Sequence, residues 1–295
     1  MFNQLKIRGS ILTGHNRKTQ IIKRRQYLLR QRQQIILQQQ RIQQQRIQQQ
    51  RIQQQSIQQV DNINLIKKEL DLILNSNKII SNEIEKNNEV AYIILYSEND
   101  RVSDYYRLRN IYYTLLLTSK LFNFNIYITE IGEKQSNALI KILDKFKNFN
   151  IKHNFILNNT KYFDRAHGFN CTIKHFINNE EILIMGDSDI PLLKNISKLI
   201  HDIKLGTYHF ISPYITLTKL TENNTKKYYK NQILDISCNN TSNLYTITGG
   251  ILIASRKFFE KVGLWFEYLT YGSEDRALDV ILLEKYKDKI FIDNY

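Results

Sequence analysis

An α/β domain with a mixed sheet, preceded by a basic glutamine-rich arm, is what this sequence predicts, and three observations predict it. From Val90 onward, β-rich apolar runs alternate with stretches of helical length and pattern, which is how strand–helix–strand units and a parallel sheet read in sequence. The run ILIMG, Ile182 to Gly186, has the length and composition of a buried strand and leads directly into Asp187-Ser188-Asp189. The charge also breaks near residue 60. Residues 1–60 hold 12 Lys or Arg and no Asp or Glu, which leaves 30 basic against 28 acidic residues in the rest. The net charge of +14 and the pI near 9.5 therefore describe a tail, and the remainder is close to neutral.

At 295 residues and 42% hydrophobic content the chain is long enough for a packed core. Its two cysteines, Cys171 and Cys238, make no disulfide framework and read as thiols in a reducing compartment. No run of about 18 apolar residues exists to predict a transmembrane helix. The first twenty residues lack the apolar core of a secretory signal, so the expected location is cytoplasmic.

The arm, residues 1–60, repeats RIQQQ three times from Arg41 to Gln55. A five-residue step advances about 140° around a helix, so Ile42, Ile47, Ile52 and Ile57 spiral and form no stripe. Gln and Arg favour helix, with disorder the alternative. A basic arm without acids is suited to weak contact with nucleic acid or an anionic surface, and a slippage repeat with no function explains it as simply. Residues 61–88 read as a helical linker, with Asp61 or Asn62 capping a helix from Ile63 to Leu74 and a second amphipathic piece from Lys78 to Lys86.

The domain, 89–295, opens with a strand from Val90 to Tyr96, followed by a helix over about Val102 to Leu121 and a strand from Asn125 to Glu130. A helix from Gln135 to Phe146, a strand from Ile151 to Leu157 and a helix from Arg165 to Asn178 lead to the strand at Ile182. Beyond Pro191 the pattern predicts a helix over Leu193 to Ile203 and short apolar segments at Tyr208 to Ser212 and Tyr214 to Leu217. The polar run Thr221 to Lys230 reads as an exposed loop. Leu244 to Ala254 reads as a strand carrying Gly249 and Gly250 at a bend, and Glu274 to Glu284 as a helix with Ala277, Leu278, Ile281 and Leu282 on its apolar face.

Two carboxylates one residue apart at a strand's carboxyl end can share a hard cation that also meets phosphate oxygens, although Asp and Ser are ordinary turn formers after a strand. Other short blocks accompany this one. Phe163-Asp164-Arg165-Ala166 precedes it; Thr248-Gly249-Gly250 and Tyr271-Gly272-Ser273-Glu274-Asp275 follow. In that order they resemble the F-N-R-A, D-V-D, F-G-G and W-G-G-E-D blocks of the β-1,4-galactosyltransferases and, more loosely, family 2 glycosyltransferases of the GT-A fold. The resemblance covers about Val90 to the C-terminus. It departs at Asp164, Tyr271 and Ser273, where that family shows Asn, Trp and Gly.

The resemblance implies a GT-A fold and a metal-dependent enzyme that moves a sugar from a nucleotide-sugar donor, UDP-linked, to a glycan, protein or lipid acceptor. Asp187 and Asp189 would hold Mn²⁺ or Mg²⁺ on the diphosphate. Arg165 would donate to diphosphate oxygens, and Tyr96, Ser97 and Glu130 would grip the nucleoside. Gly249 and Gly250 would let backbone lie against the donor sugar. Asp275 would be the inverting general base with Glu274 orienting the acceptor, beside an acceptor site of Trp265, Glu267, Tyr271 and Gly272. Blander explanations exist for several of these: carboxylates in a first helical turn suit the macrodipole, a Gly pair suits a bulge, and Trp265 suits a core. These families' third metal ligand, a His beyond the E-D block, has no counterpart after Glu274. The Q-x-x-R-W block of processive enzymes is absent, which implies single additions. The alternatives are a retaining peptide N-acetylgalactosaminyltransferase-like enzyme, a sugar nucleotidyltransferase, and a decayed transferase domain acting as a scaffold through its arm.

Overall fold

The computed structural model describes residues 41, 43–45, 47–49, 51–52, 61, 63–77, 79, 84–98, 103–158, 163–192, 195–213, 216–218, 221–231, 241–243, 250–267, 274–286, 288 and 290–292. The chain divides into two units, 1–64 and 65–295. In the first unit the described residues of the RIQQQ repeats are helical, and Ile47 and Ile52 are exposed, as the spiralling five-residue step requires. Asp61 is itself helical and so does not cap; Asn62 lies outside the described residues.

The second unit begins with a helix, residues 65–75 (α1), which buries Ile66, Leu70 and Ile73 at the expected spacing. Most of the second linker piece, at 78 and 80–83, lies outside the described residues, and its described residues 79 and 84–86 are not helical. There follow β1 (Asn87–Tyr96), α2 (Ser103–Leu121), β2 (Phe124–Gly132), α3 (Asn137–Leu143) with a 3₁₀ turn (Asp144–Phe146), β3 (Ile151–Leu157), α4 (Arg165–His175) and β4 (Ile182–Gly186). The chain continues through α5 (Ile196–Lys204), β5 (Phe210–Ser212), β6 (Thr216–Thr218), α6 (Glu222–Asn231), β7 (Thr241–Asn243), β8 (Ile251–Ser255), α7 (Arg256–Lys261), α8 (Glu274–Tyr286) and β9 (Ile290–Ile292).

A seven-stranded sheet has the order β3-β2-β1-β4-β8-β5-β9. β3, β2, β1 and β4 are mutually parallel, β8 runs antiparallel to both β4 and β5, and β9 is parallel to β5, which makes the expected mixed α/β sheet. β6 and β7 form a separate antiparallel pair. Alternate residues of β1 sort the core into two layers. Tyr92, Ile94 and Tyr96 pack with α2, α3 and α5; Ala91, Ile93 and Leu95 pack with α4, α7 and α8. β1 is buried on both faces, which is why it reads as an uninterrupted apolar run.

This order fixes where a ligand belongs. From β1 the chain winds outward through β2 and β3, then returns to place β4 on the other side of β1. The reversal opens a crevice between the carboxyl ends of β1 and β4, and α/β sheets take ligands at such a switch point.

Two expectations need correction. Thr221 to Lys230 is no loop: α6 forms there, started by Thr221, whose hydroxyl accepts the Asn224 N–H at 3.3 Å. A period search misses this helix because, among the described residues, it is anchored by aromatic rings and not by an apolar stripe: Tyr229 stacks on Tyr113 with centroids 4.2 Å apart. The last long strand is also shorter: β8 starts at Ile251, Gly250 lies in a turn, and residues 244–249 lie outside the described residues.

Candidate active site

The block Phe163 to Ala166 leads into the start of α4, and Asp164, Arg165 and Ala166 each have a physical task. Asp164 caps the helix by accepting the His167 N–H at 2.9 Å, an arrangement worth about 1 kcal/mol that Asn performs equally well. Ala166 is buried in the layer containing Phe169 and Ile173. Gly168 lets the helix settle on the sheet: a Cβ there would fall 2.4 Å from Ile131 Cδ1 and 3.1 Å from Leu95 Cδ1. This close seating puts Arg165, the first helical residue, at the end of β4. Its Nε and Nη2 both lie 3.1 Å from Asp187 Oδ1, with the Arg side chain 12% exposed and the Asp 42%. The guanidinium also lies over two rings, 4.9 Å from the Phe169 centroid and 5.2 Å from that of Trp265. Such stacking contributes about 0.5–2 kcal/mol and fixes the plane of the fork.

The turn carrying Asp187, Ser188 and Asp189 is held through its backbone as well as by the Arg165–Asp187 pair. The Asp187 N–H donates to Gly250 O at 2.9 Å, continuing the β4–β8 ladder by one residue. Thr114 on α2 donates to Ser188 O at 3.0 Å, and the Tyr92 hydroxyl donates to Ile190 O at 3.3 Å. Gly186 makes room for that tyrosine, since a Cβ there would meet its ring at 2.9 Å. Asp189 is exposed.

A partly buried cluster on α1, α2 and α6 lies near enough to Asp189 to feel its charge, and sequence reasoning missed it entirely. Arg109, 2% exposed, lies 3.6 Å from Glu69 of α1 and over the rings of Tyr106 and Tyr229. Tyr113 donates to Glu69 Oε1, and Tyr229 donates to Asn110 Oδ1, each at 3.0 Å. Burial raises the pKa of the Tyr229 phenol, Arg109 opposes the rise, and the carboxylate of Asp189 adds to it. No signal could have gathered these residues, because they are polar or aromatic positions on three separate helices.

Several expected site residues are placed elsewhere. Tyr96 points into the core with 1% exposure, packed with Tyr92 and Ile94, so its ring is not open to a nucleobase; burial, chiefly, raises its phenol far above the usual range. Ser97 is buried, and its carbonyl accepts from Arg107 Nη1 at 2.9 Å. Glu130 is 1% exposed and braces the scaffold: Oε1 accepts the Ser136 N–H at 2.5 Å, Oε2 lies 2.9 Å from His153 Nε2, and Ser136 in turn caps α3. Trp265 is 2% exposed, its indole N–H directed at Met185 Sδ 3.2 Å away, and so is core rather than an acceptor platform.

Glu267 does reach the surface. Asn170 donates to its Oε1 at 2.8 Å, and His167 Nδ1 lies 3.1 Å from its Oε2. Burial pushes its carboxyl upward, but these donors outweigh burial and the net displacement is downward. Glu274 and Asp275 begin α8, as expected, but their side chains lie outside the described residues, as do Gly249, Tyr271, Gly272 and Ser273.

Among the described residues no group of three or more His, Cys, Asp or Glu side chains gathers as a metal cage. Carboxylate oxygens such as those of Asp187 and Asp189 are the donor type that Mg²⁺ and Mn²⁺ take, and such ions keep several waters and draw remaining oxygens from phosphates. No helix among the described residues is long and apolar enough to cross a membrane.

No protein-family model matches the sequence, and no curated protein matches it. Among solved structures it is similar to a mannosyltransferase from Pyrobaculum calidifontis in complex with GDP-Man and Mn²⁺, at 12% identity and a TM-score of 0.42, over 81% of this chain and 64% of that one. It is similar to 4-diphosphocytidyl-2C-methyl-D-erythritol synthase from Anaerococcus prevotii, at 13% identity and a TM-score of 0.39, over 70% of this chain and 86% of that one. A third is the catalytic domain of Drosophila β1,4-galactosyltransferase 7 in complex with xylobiose, at 15% identity and a TM-score of 0.38, over 70% of this chain and 65% of that one. The chain thus spans just under two thirds of both glycosyltransferases. These are likenesses of chain arrangement and leave the chemistry to the site's own residues.

Proposed function

We propose that the protein is a divalent-metal-dependent glycosyltransferase that moves a sugar from a UDP-linked donor to an acceptor hydroxyl, one residue at a time and with inversion. One observation carries the reading: a ring-stacked Arg165 on Asp187, beside an exposed Asp189, at the switch point of a mixed α/β sheet. Sugar transfer from a nucleoside diphosphate needs countercharge on the diphosphate, a placed donor and a base for the acceptor. The carboxylates of Asp187 and Asp189 would hold Mn²⁺ or Mg²⁺, which would supply Lewis-acid charge to the departing diphosphate. From its place beside Asp187, Arg165 would donate to the same oxygens. Gly250 brings backbone beside the donor sugar, and Gly249 joins it in this reading. Asp275 would take the acceptor proton, Glu274 would orient the acceptor, and Glu267, Tyr271 and Gly272 would border it. The acceptor is a glycan, protein or lipid hydroxyl.

Thermal shift tests the reading: UDP with Mn²⁺ should raise the melting temperature, and neither alone should match the pair. A hydrolysis screen across UDP- and GDP-sugars then names the donor. Absence of both stabilisation and turnover with every nucleotide sugar would retire the proposal.

A further inference from the structure

Trp265 was expected at the acceptor and lies instead beneath the donor-side arginine. The turn that delivers it is strained. Gly263 and the non-glycine Leu264 both adopt positive φ, +100° and +66°, and the Leu264 N–H donates to Phe259 O at 3.0 Å. Asn170, buried in α4, holds the far side of that turn by accepting the Trp265 N–H at 3.1 Å and donating to Trp265 O at 2.9 Å. The indole is thereby fixed against Phe169 at 5.7 Å, against Phe259 at 6.0 Å, and against Met185 Sδ through its N–H. What remains of its surface meets the guanidinium of Arg165. The same amide of Asn170 reaches on to Glu267.

We propose that Trp265, clamped by Asn170, is a positioning residue that sets the plane of the Arg165 fork toward Asp187, and that this clamp joins the diphosphate side of the site to Glu267. The proposal rests on the glycosyltransferase reading for its ligand but not for its geometry. A bare arginine side chain samples many rotamers, whereas one laid over the stacked rings of Phe169 and Trp265 is restricted to fewer. The positive φ at Leu264 belongs to the same turn that carries the ring under Arg165.

The test needs two readouts. In the apo protein, ¹⁵N NMR follows hydrogen exchange of the Arg165 Nε–H, assigned by its disappearance in Arg165→Lys. Trp265→Met, which keeps bulk and loses the ring face, should speed that exchange about tenfold, while Trp265→Phe should stay within about threefold of the wild type. In calorimetry well below the melting temperature, UDP–Mn²⁺ affinity should fall about tenfold in Trp265→Met and be retained in Trp265→Phe. If Trp265→Met does not fold, Met185→Leu replaces it, leaving the indole N–H without its sulfur, and exchange should again quicken severalfold. Unchanged exchange in these variants overturns the proposal, as does an equal loss of affinity in the Phe and Met variants. A wild type that binds no nucleotide defeats the glycosyltransferase reading alone, because the exchange measurement needs no ligand.

Discussion

Strand β4 carries carboxylates at both ends, and the two ends treat them in opposite ways. At the amino end Glu180 is 4% exposed and fully engaged: Oε1 accepts from Tyr127 at 2.5 Å and Asn125 at 2.7 Å, and Oε2 accepts the N–H groups of Asn178 and Asn179. At the carboxyl end Asp187 shares one oxygen with Arg165, Asp189 is exposed, and the turn's backbone is satisfied by Gly250, Thr114 and Tyr92. One end uses its acid to close the fold. The other satisfies its turn with backbone and neighbouring side chains, pairs Asp187 with Arg165 and leaves Asp189 at the surface; under the proposed function its acids meet a ligand. If that contrast is correct, mutations at the two ends must separate stability from binding.

The largest expected effect is on binding. Asp189→Asn should abolish Mn²⁺-dependent UDP binding while leaving the apo melting temperature unchanged or raised, since repulsion between neighbouring carboxylates is relieved. Calorimetry with and without Mn²⁺ checks it, and unaltered metal dependence would remove Asp189 from the site. Next, Asp275→Asn should lower kcat by about 10²-fold or more with donor binding intact, as loss of a general base requires. Activity near wild type with a lowered melting temperature would return Asp275 to a helix-start role costing at most about 1 kcal/mol.

At the other end, Glu180→Gln should cost about 2 kcal/mol in chemical denaturation and leave nucleotide binding alone, because an amide must turn its NH₂ toward one pair of donors. The variant also has a pH signature. Burial pushes the Glu180 carboxyl up, but hydrogen bonds from Tyr127, the backbone and Asn125 outweigh it, and the folded-state pKa lies below the ordinary value. The stability Glu180 adds is therefore present above the unfolded carboxylate pKa of about 4.3 and is lost as pH falls through the lower folded value. Glu180→Gln should flatten that acid limb. A limb as steep as in the wild type would show that Glu180 is not what the amino end of β4 depends on.

Legibility in the sequence followed the same division. Elements whose residues face the core were readable: β3 and β4 fall on their expected bounds, and α2 ends at Leu121 as expected, its expected start at Val102 lying outside the described residues. The meeting of Arg165 with Asp187 was readable because local chain order places a helix start and a strand end at the same edge of the sheet. Burial depth was not. Tyr96 and Glu130 stand at or near the carboxyl ends of β1 and β2 and Trp265 in the turn after α7, yet each points inward, and side-chain direction depends on neighbours elsewhere in the chain: Tyr92 and Ile94 along the strand, Ser136 across a loop and His153 on β3, Asn170 across 95 residues. α6 was hidden for a related reason, since its contacts run to α2 through Tyr113 and Asn110 and make no apolar stripe.

The smallest expected effect sharpens the comparison by leaving both ends of β4 untouched. Residues 1–59 hold no acid, none of the four blocks and no apolar stripe, and they fall within the first of the two units. A cut after Gln59 keeps α1, whose Leu70 packs with β1 and whose Glu69 meets the buried Arg109, so no charge is stranded in the core. The truncated protein should match the full chain in melting temperature and in UDP–Mn²⁺ affinity. Any RNA binding by the arm should disappear with it, and in the full chain should weaken steeply with added salt, because twelve cations against phosphate act by counterion release. Loss of UDP binding on truncation would show that the arm contributes to the donor site, and that the acids at the carboxyl end of β4 are not sufficient to hold the nucleotide.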